Sequence, residues 1–241
     1  MTHVERTPVD FDLALQQWHA YVDALHACGW QTIEVAPAAD CPDSVFIEDT
    51  MVVFRDVAVI ARPGAESRRP ETAAAAEAVA KLGYRLIHIE KPGTLDGGDV
   101  LKVGNTIYVG HGGRTNLAGI AQLAAALEPL GATVVTVPVT AVLHLKSAVT
   151  ALPDGTVIGY EPFVDDVHMF PRFLRVREES GSHVVLLGDD KVLISDDCPR
   201  THMLLRSTGL EPVPVDISEF IKLEGCVTCL SVRLREAPGA D

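Results

Sequence analysis

Two cysteines near the end of the chain are the first residues whose spacing suggests chemistry. Cys226 and Cys229 form a C-x-x-C pair in the segment 222–232. Such a pair is typical of a redox dithiol or of half a zinc site, but no second C-x-x-C or H-x₃₋₅-H is present to complete a tetrahedral zinc site. For Cys226, a small buried side chain beside a strand is the simpler interpretation. Cys229 lies where a loop becomes a strand, and it needs a neighbouring base to act as a nucleophile.

A histidine is the usual base for a cysteine nucleophile, and His144 is the best candidate among nine histidines. It lies in VLHLKS, at the end of a predicted strand, whereas His88 falls inside an apolar strand. A single histidine is more often structural than catalytic, so both interpretations of His144 stay open. The five cysteines are an odd number in a long chain, which argues against a disulfide scaffold.

Carboxylates cluster in two short segments. Asp96 and Asp99 surround a glycine pair in TLDGGDV, and Asp43, Glu48 and Asp49 surround a short apolar run in PDSVFIED. Buried carboxylates are costly unless a positive group meets them. These residues are therefore either solvated loop residues or the lining of a pocket for a cation.

Two arginines stand where helices are predicted to begin. Arg68 lies in RPGAESRRPE and Arg114 in GGRTN. The planar guanidinium of arginine is suited to holding a carboxylate through two hydrogen bonds. Taken singly, each of them is better explained as a surface arginine.

The composition excludes several classes of protein. The chain has 241 residues, 20 Lys+Arg, 33 Asp+Glu and a formal net charge of −13, which disfavours non-specific binding to nucleic acid. Its first residues lack the basic start and apolar run of a signal peptide, and no stretch approaches the roughly 20 apolar residues of a membrane-spanning helix. We therefore expect a soluble cytoplasmic protein of one large or two small domains.

One local pattern recurs about five times at a spacing of about 50 residues. A helical segment ends at a glycine and is followed by a strand, and hairpins lie between the copies. The predicted helix and strand pairs are 13–28 with 31–35, 70–82 with 84–89, 117–130 with 133–137, 169–180 with 183–187, and 199–208 with 211–215. The predicted hairpins are 51–54 with 57–61, 100–103 with 106–109, and 148–152 with 156–160.

Each copy is a strand–strand–helix–strand unit. The last copy joins the predicted C-terminal strand 227–234 to the N-terminal helix, which suggests a closed ring of units. An open α/β sheet with parallel strands explains the spacing equally well.

Six segments together resemble the dimethylarginine dimethylaminohydrolase family of the guanidino-group-modifying, amidinotransferase-like superfamily. They span residues 42–231 and appear in the order of that family. The segments are PDSVFIED (42–49), RPGAESRR (62–69), TLDGGDVL (94–101), GRTN (113–116), VLHLKS (142–147) and KLEGCVTCLS (222–231). The resemblance implies an α/β fold, a five-bladed ββαβ propeller (pentein) with a central active site. It thus favours one catalytic domain over residues 1–241, with the last blade shared by both termini.

The resemblance also implies a role for each candidate residue. Cys229 matches the nucleophile, His144 the general acid and base, and Asp96 the carboxylate that partners this histidine and touches the guanidinium. Asp49 matches the second guanidinium-binding acid, and its neighbour Glu48 is assigned to substrate binding together with it. The remaining matches are Asp43 for the substrate α-amino group and Arg68 and Arg114 for its carboxylate.

The implied reaction converts Nω-methylated arginines to citrulline and methylamine or dimethylamine through a covalent cysteine thiouronium. No cofactor and no metal are implied, and the implied partner is this small substrate, with the chain a monomer or homodimer. Arginine deiminase or amidinotransferase activity on the same scaffold remains an alternative. A thiol-redox or zinc-binding module built on Cys226 and Cys229 is an alternative of a different class.

Overall fold

The computed structural model describes residues 7–235. Contacts divide them into two compact units. One unit contains the chain up to Ile33 together with Ala141–Thr228, and the other contains Glu34–Thr140 together with the segment that begins at Cys229. None of the described helices is long and apolar enough to span a membrane.

The unit that contains Glu34–Thr140 holds two three-stranded sheets. In each sheet an antiparallel hairpin is followed by a helix and then by a strand that returns parallel to the second hairpin strand. The first sheet has β1 (Met51–Phe54), β2 (Val57–Ile60), α2 (Thr72–Lys81) and β3 (Arg85–His88), after helix α1 (Phe11–Ala27) of the other unit. The second has β4 (Val100–Val103), β5 (Thr106–His111), α3 (Leu117–Leu127) and β6 (Thr133–Pro138).

The other unit repeats this strand order in two further sheets, the first of them without a crossover helix. They are β7 (Val149–Ala151), β8 (Val157–Gly159) and β9 (Phe173–Arg175), and then β10 (Val184–Gly188), β11 (Lys191–Ser195), α4 (Pro199–Ser207) and β12 (Glu211–Val215). The short helix α5 (Ser218–Ile221) follows and contacts α1. The α/β class and four of the strand–strand–crossover–strand units are thereby confirmed. A fifth unit stays a prediction, as does a single domain.

Local sequence explains how the confirmed helices end. At the end of α2 the N–H of Gly83 donates to Ala80 and that of Tyr84 donates to Val79, with Gly83 at φ +87°. Glycine adopts this left-handed conformation without the penalty that a Cβ would bring. The chain can therefore reverse at once into β3.

The predicted helix 169–180 is wrong. This stretch contains β9, and short 3-10 turns such as Val167–Met169 replace the crossover helix. Pro171 lies inside the predicted helix, where it lacks an N–H donor and clashes with the preceding turn. Phe170 and Phe173 stack at 6.0 Å between ring centroids, so the aromatic side chains support the extended path.

The predicted strands 31–35 and 227–234 are also not regular strands among the described residues. Residues 227–230 form turns, and the described strands do not include 231–235. Val35, Val232 and Leu234 instead pack against the buried cluster formed by α2 and the hairpin β1–β2. Ile33 is 61% exposed, so Val35 alone of the apolar residues in 31–35 takes part in this packing.

Candidate active site

A 3-10 turn, Ile47–Thr50, presents the first buried carboxylate just before β1. Asp49 is 3% exposed; its Oδ1 accepts from the N–H of Gly98 at 2.8 Å, and its Oδ2 accepts from Nη1 of Arg68 at 2.6 Å. One donor comes from a backbone and one from a charged side chain. The orientation of this carboxylate is thus fixed from two directions.

Arg68 is itself buried and bound to more than Asp49. Its Nε and Nη2 donate to the carboxylate of Glu71 at 2.8–3.1 Å, and Nη2 also donates to the carbonyl of Phe46 at 3.3 Å. Burial alone would lower the pKa of Arg68, but the charge of Asp49 and the bonds to Glu71 outweigh it and raise the pKa. Burial also raises the pKa of the Glu71 carboxyl, against the effect of Arg68. These contacts are those of a group that holds Asp49, and the predicted role of Arg68 toward a substrate carboxylate stays untested.

The second buried carboxylate is Asp96, which is fully buried before the 3-10 turn Gly97–Asp99. Its Oδ1 accepts from the N–H of Gly64 at 2.9 Å. Its own N–H donates to Thr115 Oγ1 at 3.1 Å, and the Thr115 hydroxyl donates to Asp99 at 2.6 Å. Asp99 is therefore a partner of Thr115 in the support of this loop.

Carboxylate oxygens of Asp49 and Asp96 lie within 4.8 Å of each other. Arg68 neutralises one carboxylate, and the two together are suited to hold a cation, which is either a metal ion or an organic group. A planar guanidinium fits them because it offers N–H donors to two carboxylates at once.

Glycine at position 97 permits the close approach of the two turns. A Cβ there would lie 2.1 Å from the carbonyl oxygen of Glu48 and 2.8 Å from that of Met51. Gly64 has the same task toward Arg114, because its Cβ would lie 2.4 Å from the Arg114 carbonyl oxygen. The close approach of a neighbouring backbone therefore explains Gly97 of LDGGD and Gly64 of RPGA, in addition to turn formation.

Cys229 belongs to the same unit as these carboxylates. It is 8% exposed, and its carbonyl accepts from the N–H of Glu48 at 3.1 Å. Cys226 differs, since its Sγ lies 3.2 Å from Thr228 Oγ1 and the cysteine is buried in the other unit. Neither cysteine forms a disulfide in the described part of the chain.

His144 lies in the other unit, immediately before the 3-10 turn Leu145–Ser147 that leads to β7. It is 4% exposed, and its carbonyl accepts from the N–H of Ser147 at 3.0 Å. His144 therefore lies five residues before β7, and not at the end of a strand as the sequence analysis predicted. Its pairing with Asp96 and Cys229 stays a prediction.

The three remaining candidates have distinct surroundings. Asp43 is half-buried, and its carbonyl accepts from Arg68 Nη2 at 3.2 Å. Arg114 is half-buried, and among the described residues its buried Nη1 has no hydrogen-bond partner. Glu48 is 4% exposed, with Oε1 accepting from Arg233 Nη2 at 2.6 Å, and its predicted contact with substrate stays untested.

Four residues of this arrangement were missing from the sequence analysis. Glu71 closes RPGAESRRPE, and Thr115 follows Arg114 directly, so the segments already singled out contain both. Gly64 also lies within such a segment, whereas Arg233 does not. A search for the partners of buried carboxylates would have drawn attention to Glu71 and Thr115.

Comparisons with known proteins identify the family of the chain. A family model described as arginine deiminase matches residues 34–179. An N(G),N(G)-dimethylarginine dimethylaminohydrolase of Streptomyces coelicolor is 68% identical over 236 residues, which cover 98% of this chain and 92% of that protein.

Solved structures of the same name are similar along nearly their whole length. A histidine-to-glycine variant of dimethylarginine dimethylaminohydrolase, as an adduct with S-methyl-L-thiocitrulline, has a TM-score of 0.91 at 32% identity, covering 97% of this chain and 93% of that one. A cysteine-to-serine variant from Pseudomonas aeruginosa, complexed with citrulline, has a TM-score of 0.90 at 33% identity with the same coverage. The chain therefore belongs to the dimethylarginine dimethylaminohydrolase family of the amidinotransferase-like superfamily.

Proposed function

We propose that this protein hydrolyses Nω-methylated arginines, namely asymmetric dimethylarginine and monomethylarginine, to citrulline and dimethylamine or methylamine. The observation that carries this proposal is the 68% identity, over 98% of the chain, to the Streptomyces coelicolor dimethylarginine dimethylaminohydrolase. The buried pair Asp49 and Asp96 supports it, since the substrate of such a reaction is a cation.

The reaction proposed here uses Cys229 as nucleophile and His144 as general acid and base. Asp49 and Asp96 hold the guanidinium with its central carbon facing the Cys229 sulfur. The thiolate forms a C–S bond to this carbon, the C–N bond to the methylated nitrogen breaks, and His144 donates the proton with which the amine leaves. Water then attacks the thiouronium carbon and gives a proton to His144. The C–S bond breaks, and citrulline and the thiolate are released.

The amino-acid end of the substrate is assigned to groups away from the reacting carbon. Arg114 binds the α-carboxylate, supported by its buried Nη1 without a partner among the described residues. Asp43 binds the α-amino group, supported by its half-buried position beside Arg68. Arg68 completes the proposed substrate-binding set, mainly through its contact with Asp49, and Glu48 belongs to it as the neighbour in the turn that carries Asp49.

Finer architecture and context are part of the same proposal. The helices α1 and α5, with the segments 31–35 and 227–234, form the fifth unit of a closed propeller, so that residues 1–241 act as one catalytic domain. The four units of strand, strand, crossover and strand support this arrangement. A cytoplasmic location and a monomeric or homodimeric state stay predictions.

A paired product assay tests the proposed function. The purified protein is incubated separately with asymmetric dimethylarginine, monomethylarginine and arginine, and citrulline, alkylamine and ammonia are quantified, with Cys229→Ser as the inactive control. Citrulline with dimethylamine or methylamine, and little ammonia from arginine, is expected.

Ammonia from arginine as the main product would instead assign a deiminase reaction, the alternative that the arginine deiminase family model favours. The absence of citrulline with all three substrates would overturn both reactions. The proposal of Cys229 as nucleophile is refuted if Cys229→Ser is as active as the wild type.

A further inference from the structure

The segment that carries the proposed nucleophile continues into residues outside the described strands. Cys229 is 8% exposed and lies in the turn 227–230, and it is followed by residues 231–235, which the described strands do not include. Reactive groups must be held closely for catalysis, since a displacement of about 1 Å is able to reduce a rate roughly 100-fold. The contacts that hold this segment are therefore of functional interest.

Two hydrogen bonds join the segment to the turn Ile47–Thr50. The carbonyl of Cys229 accepts from the N–H of Glu48 at 3.1 Å. Farther along, Nη2 of Arg233 donates to Oε1 of Glu48 at 2.6 Å. A single residue, Glu48, thus holds the segment at two points through its backbone and its side chain.

Arg233 also folds back on its own segment. Its Nη1 donates to the carbonyl of Ser231 at 2.5 Å and to the hydroxyl of the same residue at 3.2 Å. One end of the guanidinium therefore fixes the backbone two residues after Cys229, and the other end binds a carboxylate that is 5% exposed. The fork geometry of arginine permits both contacts at once.

We propose that Arg233 and Glu48 form a clamp that positions Cys229 relative to Asp49, and that Arg233 is a positioning residue for the nucleophile. The clamp consists of the Arg233–Glu48 ion pair, the Arg233–Ser231 contacts and the Glu48–Cys229 backbone hydrogen bond. Asp49 follows Glu48 in the same 3-10 turn, so the clamp fixes the nucleophile against the turn that holds the substrate cation. This inference rests on the proposed function, because it takes Cys229 to be the nucleophile.

The test uses three variants of the full chain. Arg233→Met removes the charge and the fork, Arg233→Lys keeps the charge but loses the fork, and Glu48→Gln keeps the shape while it weakens the pair. The matched control is Arg175→Met, which breaks an exposed ion pair of 2.7 Å with Glu161. For asymmetric dimethylarginine we expect kcat to fall about tenfold or more in Arg233→Met with KM changed less than about threefold. Arg233→Lys should recover part of the loss, and Arg175→Met should match the wild type.

Site-resolved alkylation with iodoacetamide supplies a second measurement, which does not depend on the substrate. Loosening of the clamp should expose the thiol of Cys229 and increase its labelling, as measured by peptide mass spectrometry. Cys198 is the internal control for unfolding: it is fully buried, and burial with nearby carboxylates, chiefly that of Asp197, raises its pKa to about 12. We expect faster labelling of Cys229 in Arg233→Met and in Glu48→Gln, with Cys198 unchanged.

Three outcomes would contradict the clamp, and a fourth would separate it from the proposed reaction. Unchanged kcat and unchanged Cys229 labelling in all three variants would overturn it. A rise in KM with kcat maintained in Glu48→Gln would show that Glu48 contacts substrate instead. Equal increases in Cys198 and Cys229 labelling would show only a loss of stability, which also overturns a positioning role. If the wild type makes no citrulline but Cys229 labelling still rises selectively, the proposed reaction fails and the clamp is supported.

Discussion

The substitution Gly97→Ala tests how closely the two carboxylate-bearing turns must approach. The added Cβ would lie 2.1 Å from the carbonyl oxygen of Glu48, whereas real Cβ atoms are essentially never closer than 3.0 Å to such an atom. The two backbones must therefore separate by about 0.9 Å. The Cβ would also lie 2.8 Å from the carbonyl oxygen of Met51. Both close atoms belong to the backbone, so neither can move aside as the end of a flexible side chain could.

This separation acts directly on the proposed substrate site. Gly98 donates to Asp49, so the hydrogen bond of 2.8 Å lengthens as the turns move apart. A shift of this size in a positioning group reduces kcat/KM about 100-fold. Overpacking also costs about 1–3 kcal/mol of the free energy of unfolding, which lowers Tm by roughly 2–12 °C for a chain of this length.

The assay compares Gly97→Ala with Gly113→Ala, which adds the same methyl group in a different environment. At Gly113 no heavy atom lies within 4 Å of the added Cβ, and the backbone is not in the left-handed region. Citrulline formation from asymmetric dimethylarginine is measured for both variants over a range of concentrations. The reasoning is refuted if Gly97→Ala retains kcat/KM within about threefold of Gly113→Ala, since a shift of 0.9 Å would then be without effect.

Three further outcomes are expected from the contacts of charged residues. Arg68→Met should lower the free energy of unfolding by about 3–5 kcal/mol, because it leaves Asp49 buried without its cation. Thermal unfolding should then show a Tm roughly 6–20 °C lower. A smaller loss of Tm than in Arg175→Met, which breaks an exposed ion pair, would contradict this. Glu178 is partly buried, which opposes ionisation, yet hydrogen bonds from N–H groups at the start of α4 lower the pKa of its carboxyl. Glu178→Gln should therefore lower the free energy of unfolding by about 1 kcal/mol at pH 7. That stabilisation is present above the unfolded pKa of about 4.3 and is lost as the pH falls through the lower folded value, so the wild type and Glu178→Gln should converge in acid denaturation. Arg114→Ala should raise KM about 10- to 100-fold with little change in kcat or Tm, because it removes a charge-assisted contact present throughout the reaction; an unchanged KM would remove Arg114 from the substrate site.

Local sequence rules were sufficient for much of the fold. The turn pair Asp154-Gly155 was predicted between two strands, and it connects β7 and β8 with Gly155 at φ +80°. The helices that precede Gly83 and Gly209 were predicted with ends close to those observed. These features depend on residues near one another in the chain, where propensity and turn chemistry act.

The prediction failed where tertiary packing decides between conformations. The stretch 169–180 combines helix formers with aromatic residues and a proline, and pairing with β8 selects the extended form in Phe173–Arg175. The segment 227–234 was predicted as a strand, but the packing of Val232 and Leu234 against a core needs no ladder. A strand-like sequence does not identify a hydrogen-bond partner, which tertiary packing decides.

The pair Glu48-Asp49 shows the limit for the candidate site. Both acids were taken together as substrate-binding, yet successive residues of a 3-10 turn are about 120° apart around its axis, so they cannot point the same way. The structure sends Asp49 to Arg68, 19 residues away, and Glu48 to Arg233, 185 residues away. The divergence of the two side chains follows from the turn, but the identity of their partners depends on the folded chain. The different tasks proposed for the two acids, cation binding for Asp49 and positioning of Cys229 for Glu48, therefore become visible only when the two distant arginines are in place.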